Sequence, residues 1–241
     1  MGRTVVPGTV VITCPFPPRL TAVEAAGWLR SAGPDAVVTW IGALEALPAL
    51  RDARGVLGMA GARHEAALAL DPAWLQAKTT LRTAVRAARE AWPGLSVAVL
   101  PGSEPMAHRD VLVQEGIATI CTDGFNDAAR GSRRPAPRGW PCRSVLWGLW
   151  EVSTAARSQG MLGRVQSWCA GPVDGSLTIL HASAGSGGSW AAAKSRLERH
   201  ATWAQRRIRA GSLQAATLAD LPALIAGRSA AGARGSILRA A

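Results

Sequence analysis

Ser176-Leu177-Thr178-Ile179-Leu180-His181, followed at once by Ala182-Ser183-Ala184-Gly185-Ser186-Gly187-Gly188, is the stretch on which the fold turns. A short apolar run closed by a glycine-rich breaker predicts a buried strand that delivers one imidazole to a loop. In α/β barrels the functional groups sit at the C-terminal ends of the strands, where the strand fixes the residue and the loop is free to vary. His181 is therefore the first candidate for a catalytic group, set against the plainer reading of a histidine that only caps a strand.

Working outward, strand-like and helix-like segments alternate. Thr9–Thr13 is β-rich and is stopped by Pro15, Pro17 and Pro18. Thr21 and Glu24 have the spacing of a capping box, which predicts a helix running to Gly33. Ala36–Ile41 reads as strand, Leu44–Arg51 as helix and Val56–Ala60 as strand again. Glu65–Leu70 is short and apolar, and a long helix from Asp71-Pro72 to about Ala91 follows it. Ser96–Leu100 reads as strand, His108–Glu115 as helix and Ile117–Thr122 as strand. Gly124–Arg143, broken by Gly131, Pro135, Pro137, Gly139 and Pro141, reads as a long irregular loop. Ser144–Val152 reads as strand in its first half, Met161–Cys169 as helix and Ser189–Ala210 as a long helix. A brief strand around Gln214 and a helix over Leu218–Ala226, capped by Thr217, complete the pattern.

This alternation with short connections selects an α/β fold with a parallel sheet. The number of units and the length favour a distorted (β/α) barrel of seven or eight parallel strands over an open sheet. No G-x-G-x-x-G follows the first strand and no G-x-x-x-x-G-K-[ST] occurs, so the nucleotide-binding open sheets lose their usual support. Residues 1–226 read as a single barrel domain and 227–241 as a flexible tail of Arg, Gly and Ala.

The net charge of +11 comes almost wholly from arginine, because Lys78 and Lys194 are the only lysines. A basic surface invites polyanions. However, arginine-rich, lysine-poor usage also follows from GC-rich coding, and no aromatic pattern for base stacking accompanies Arg196, Arg199, Arg206, Arg207 and Arg209. Nucleic acid is not an expected partner. The first residues lack the apolar core of a secretory signal, and no run approaches the roughly 20 apolar residues of a membrane span. A cytoplasmic protein without membrane contact is the expectation. Cys14, Cys121, Cys142 and Cys169 show no C-x-x-C spacing and read as free thiols.

Several segments, in order, resemble the polysaccharide deacetylases, the NodB-like carbohydrate esterases. They are Val10-Val11-Ile12-Thr13 as first strand, Arg63-His64-Glu65-Ala66-Ala67-Leu68 in place of Gly-His-Glu-Ile-Gly-Leu, and Leu177-Thr178-Ile179-Leu180-His181 as closing strand and histidine. The ending, Leu197 to Leu224, is similar too. The resemblance spans roughly Thr9 to Ala226 and implies a distorted (β/α) barrel. It also implies a hydrolase with one aspartate and two histidines on a divalent metal, a second aspartate as base and the last histidine as acid. This chain departs from that set. The two carboxylates of the family's Thr-Phe-Asp-Asp-Gly fall on or beside Cys14 and Pro15, and the first metal histidine falls on Ala69. Asp71-Pro72-Ala73-Trp74 offers no second histidine, the expected arginine falls on Leu100, and His64 stands where the family has a structural histidine. Only His181 keeps its place.

No cofactor is therefore expected, unless a divalent metal such as Zn is held by relocated ligands. His108, Asp123 and Glu151 are the rim residues that could join His181 at the barrel mouth. Against that, His108 begins a helix, Asp123 heads an Asp-Gly turn and Glu151 suits a solvated position. Two functions follow. One is hydrolysis of the amide of an N-acetylated sugar or related substrate with His181 as acid, weakened or lost without the metal ligands. The other is an inactive barrel that binds a saccharide or a protein through Arg134, Arg138, Trp140, Trp147 and Trp150.

Overall fold

The computed structural model describes residues 7–57, 63–100, 107–122, 140–146, 148–153, 175–183 and 189–227. Strand β1 (Gly8–Pro15) is the axis of the fold: Gly8 to Cys14 are buried without a break, as its β-branched run requires of a strand covered on both faces. The chain then passes through α1 (Ala22–Ala32), β2 (Val38–Gly42), α2 (Leu47–Val56), β3 (His64–Ala69), α3 (Lys78–Ala91) and β4 (Val97–Val99). It continues through α4 (Arg109–Gln114), β5 (Thr119–Thr122), β6 (Cys142–Leu146), β7 (Leu149–Ser153), β8 (Leu177–His181), α5 (Trp190–Arg209) and β9 (Leu213–Ala215). The final described helix covers 221–227.

The strands form one sheet in the order β6-β7-β5-β4-β3-β2-β1-β8, with β9 also on β1. Every pairing is parallel except β6 with β7. β9 and β2 lie end to end along one edge of β1, against Gly8–Val10 and Ile12–Pro15, while β8 takes the other edge. The sheet curls into a half-barrel. The two edges of the sheet are linked where the Trp140 indole N–H, from the segment leading into β6, donates to the Gly175 carbonyl, from the segment leading into β8, at 2.9 Å.

Period-two alternation divides the strand residues between two apolar clusters. The outer one lies between sheet and helices and holds Ile12, Trp40, Leu68 and Ile120 with Leu29, Leu50, Leu81, Val85 and Leu197. The inner one gathers Val11, Ile41, Ala67, Val97, Cys121, Val152 and Ile179 inside the curl. The inner cluster is closed from below by the C-terminal segment, whose Leu218, Leu221 and Ile225 are all 2% exposed or less. Strand-borne polar groups fasten that floor. Leu218 N–H donates to Thr39 Oγ1 at 3.1 Å, Ala219 N–H to Glu65 Oε1 at 3.1 Å, and Thr119 Oγ1 to the Leu218 carbonyl at 3.3 Å. Arg63 reaches Asp220 at 2.6 Å, and Asp220 in turn caps Thr217.

Several expectations need correcting. The strand expected over Val56–Ala60 is not formed at its start, because α2 runs on to Val56; the third strand is His64–Ala69. Asp71-Pro72 opens a 3-10 turn over Pro72–Gln76, and the long helix begins only at Lys78. Ser144–Val152 is a hairpin turned at Gly148 (φ 82°), so one strand of the sheet runs antiparallel. Met161–Cys169 lies outside the described residues. Among the described residues no helix is long and apolar enough to cross a membrane.

Candidate functional site

The parallel register of β1 and β8 sets Thr13 opposite His181 at the C-terminal ends of adjacent strands. Both belong to the inward-facing set, two residues beyond Val11 and Ile179. Their side chains meet: His181 Nδ1 and Thr13 Oγ1 are 2.9 Å apart. Thr13 is fully buried and His181 half-buried, so the imidazole is fixed from below while part of it faces the mouth. The strand exit is held as well. Ala182 N–H donates to the Thr13 carbonyl at 2.8 Å, and Arg196 of α5 donates to the Ser183 carbonyl at 2.6 Å. Behind the strand, His200 hydrogen-bonds the His181 backbone. Burial, helped by the Arg196 charge, pushes its pKa down to about 4.

The three described cysteines are free, as their spacing suggested. Cys14 faces the outer cluster and burial raises its thiol to about 12. Inside the curl, Cys142 is likewise pushed up to about 12, and Cys121 is raised by burial and by the Glu65 and Cys142 charges. None is a nucleophile near neutral pH.

The donor set does not fit the divalent ion that the family resemblance implies. Cys14 and Pro15 stand where carboxylates would be needed, and among the described residues no three His, Cys, Asp or Glu side chains group for a metal. Nor does Glu151 belong to the mouth. Trp150 and Val152 take the inner face of β7, so Glu151 faces outward, 3% exposed. There it accepts both Arg143 Nε at 2.6 Å and Nη2 at 2.8 Å, a bidentate pair across the hairpin. His108 occupies the N-cap position of α4 in the outer layer, with no side-chain capping bond. Asp123, Arg134, Arg138 and Trp147 lie outside the described residues. Of the tryptophans expected to form a contact surface, Trp140 is 5% exposed and serves as the strut between the sheet edges, while Trp150 packs half-buried against the inner cluster.

Three residues went unnoticed as parts of a site: Thr13, His200 and Glu65. Glu65 lies half-buried at the lower end of the curl, where Thr39 Oγ1 donates to it at 2.8 Å beside the Ala219 amide. Burial raises its pKa to about 7, against the opposing pull of those hydrogen bonds; Asp220 pushes the same way as burial, and Cys121 lies close by. A carboxyl whose folded pKa exceeds its unfolded value contributes stability fully below the unfolded value, and that contribution is lost as pH rises through about 7. Glu65→Gln is therefore expected to remove a loss of about 3 kcal/mol between pH 5 and 8. The check is the difference between wild-type and variant urea stabilities across that window, which also cancels the histidine titrations. A flat difference would contradict the raised pKa of Glu65.

No protein-family model matches the chain, and no characterised protein matches it.

Proposed function

We propose that the chain is a polysaccharide-deacetylase-like barrel that binds an N-acetylated sugar or a related amide at its mouth, beside His181, and has lost the metal-dependent hydrolysis. One observation carries this reading. A hydrogen-bonded imidazole stands at the C-terminal end of a barrel strand, while the adjacent strand end offers Cys14 and Pro15 in place of carboxylates. Such a mouth can orient a polar ligand and hydrogen-bond it. Among the described residues it offers no carboxylate at the Thr13 and His181 strand ends to activate a water for attack on an amide carbon. A protein partner on the Trp/Arg loop is less well supported, since Trp140 is buried in the seam.

Calorimetry with N-acetylated chitotetraose tests the proposal. Saturable binding is expected, and His181→Ala is expected to weaken it about tenfold, the loss of one good ligand hydrogen bond. The same sugar incubated with protein and added Zn, Co, Ni or Mn should yield no acetate. Metal-dependent acetate release that disappears in His181→Ala would overturn the binding-only reading and restore the hydrolase.

A further inference from the structure

We infer that the outward ridge of α5, carried by Arg199, Arg206 and Arg209, is a docking surface for the phosphate backbone of double-stranded nucleic acid, held without regard to base sequence. The inference stands apart from the saccharide reading of the mouth and does not rest on it.

Helix α5 carries six cationic side chains and a single carboxylate, Glu198. Its buried face is Ala193, Leu197, Ala201 and Ala204. With about 100° of turn per residue, Arg199 and Arg206 lie nearly in line on the side opposite that face, and Arg209 follows one turn on. All three are exposed. Exposed Ser195 precedes them and exposed Thr202 stands between the first two, so the line is polar throughout. Other cations of the helix are engaged elsewhere: Arg196 donates to the Ser183 carbonyl at 2.6 Å, and the Arg207 guanidinium lies 5.9 Å over the Trp203 ring.

The ridge differs from the other basic helix in lacking counter-charge. On α3, Lys78 pairs with Asp110, and Arg82 and Arg86 pair with Glu115. Among the described residues no hydrogen bond or ion pair engages the guanidinium of Arg199, Arg206 or Arg209. Cations in the last turn suit the carbonyl end of a helix, but that field fades within a turn and leaves Arg199 unexplained. The complement of a line of unpaired guanidinium groups is a line of anions. From Arg199 to Arg209 the ridge is about 15 Å long. A duplex strand offers a phosphate roughly every 3.4 Å along its axis, so three charge-assisted contacts can form together. The net charge of +11 adds attraction at longer range. Base stacking, for which the sequence carries no aromatic pattern, plays no part in a contact made to phosphates alone. Ser195 and Thr202, rather than apolar anchors, accompany the arginines, which disfavours a lipid surface.

Fluorescence anisotropy tests this, with a labelled duplex of about 20 base pairs titrated with the whole protein between roughly 50 and 200 mM salt. The logarithm of the affinity is expected to fall against the logarithm of salt with a slope of about −3, whatever the base sequence. Arg199→Gln, Arg206→Gln and Arg209→Gln should each reduce that slope by about one, and together weaken binding at least about tenfold. Glu198→Gln should tighten it about twofold. All these positions are exposed, so the variants keep the fold. Arg19→Gln, Arg51→Gln and Arg54→Gln combined remove the same charge from exposed sites on other segments and should leave the affinity within about threefold. An equal loss in that control would assign the binding to diffuse net charge and overturn the ridge. No binding to the duplex at the lowest salt would overturn it too, as would a tighter hold on a single strand of the same length. Vesicles of phosphatidylserine and phosphatidylcholine that capture the protein where the duplex does not would replace nucleic acid with a lipid surface.

Discussion

A chain ended at Ala215 is expected to lose cooperative folding. Segment 216–227 supplies Leu218, Leu221 and Ile225 to the inner cluster, and full burial of three such side chains stabilises the fold by roughly 5–9 kcal/mol. That is comparable with the whole stability of a typical domain, about 5–15 kcal/mol. The loss does not stop at apolar area. Without the segment, Val11, Ile41, Ala67 and Val97 face water from below, and Thr39, Glu65 and Thr119 lose their partners on Leu218 and Ala219. Near-ultraviolet circular dichroism and thermal unfolding check the outcome: no sharp transition and no fixed aromatic signal in the shortened chain. A melting point within about 4 °C of the intact protein, worth roughly 1 kcal/mol in a domain of this size, would show that the half-barrel needs no floor.

Trp40→Ala is expected to destabilise by about 3–5 kcal/mol. Trp40 is completely buried on the outer face of β2, edge-on to Phe16 at 5.9 Å and tilted against His64 at 5.8 Å. Phe16 continues to Trp28 and Trp28 to Trp190, so the indole ends an aromatic row that ties α5 and α1 to the sheet. It also donates to His64 Nδ1 at 3.2 Å, and His64 Nε2 is buried without a hydrogen-bond partner among the described residues. Loss of the indole thus opens a cavity and orphans a second imidazole nitrogen. Trp40→Phe, which keeps most of the ring, should cost only about 1–2 kcal/mol.

A pH signature accompanies this change. Burial, with the Arg54 charge behind it, holds the His64 pKa down to about 4 from 6.5. The stability contributed by that neutral ring is present above pH 6.5 and lost as pH falls toward 4. Trp40→Ala admits water to the ring and should flatten that loss. Urea midpoints at pH 7 and pH 5 check both the cost and the flattening; a change below 1 kcal/mol at pH 7 would contradict the packing of Trp40.

The strand that ends on His181 was legible because its apolar run and glycine breaker are local signals, and so was the capping box of Thr21 and Glu24, present in the structure. The third strand was harder to see. His64-Glu65-Ala66-Ala67 carries no β-branched residue, and its two polar side chains point to opposite faces, His64 toward Trp40 and Glu65 into the curl. Glu151 was misplaced for want of one alternation: Trp150 and Val152 claim the inner face, which leaves the outer face, and Arg143, to the residue between them. Thr13 could not be read as the partner of His181, because their contact depends on the register of strands 168 residues apart, which no local pattern encodes. The floor was foreseen as a helix capped by Thr217, but not as a plug, since its partners Thr39, Glu65 and Thr119 come from three separate strands.

The central claim is that the half-barrel is sealed below and presents its chemistry above, at the Thr13 and His181 strand ends. Mapping backbone amide shifts while titrating in N-acetylated chitotetraose tests it most directly. Saturable shifts are predicted at Thr13, Cys14, His181 and Ala182, with none at Leu218, Ala219 or Leu221. Shifts confined to the floor or to the exposed face of α5, with the strand ends silent, would contradict it.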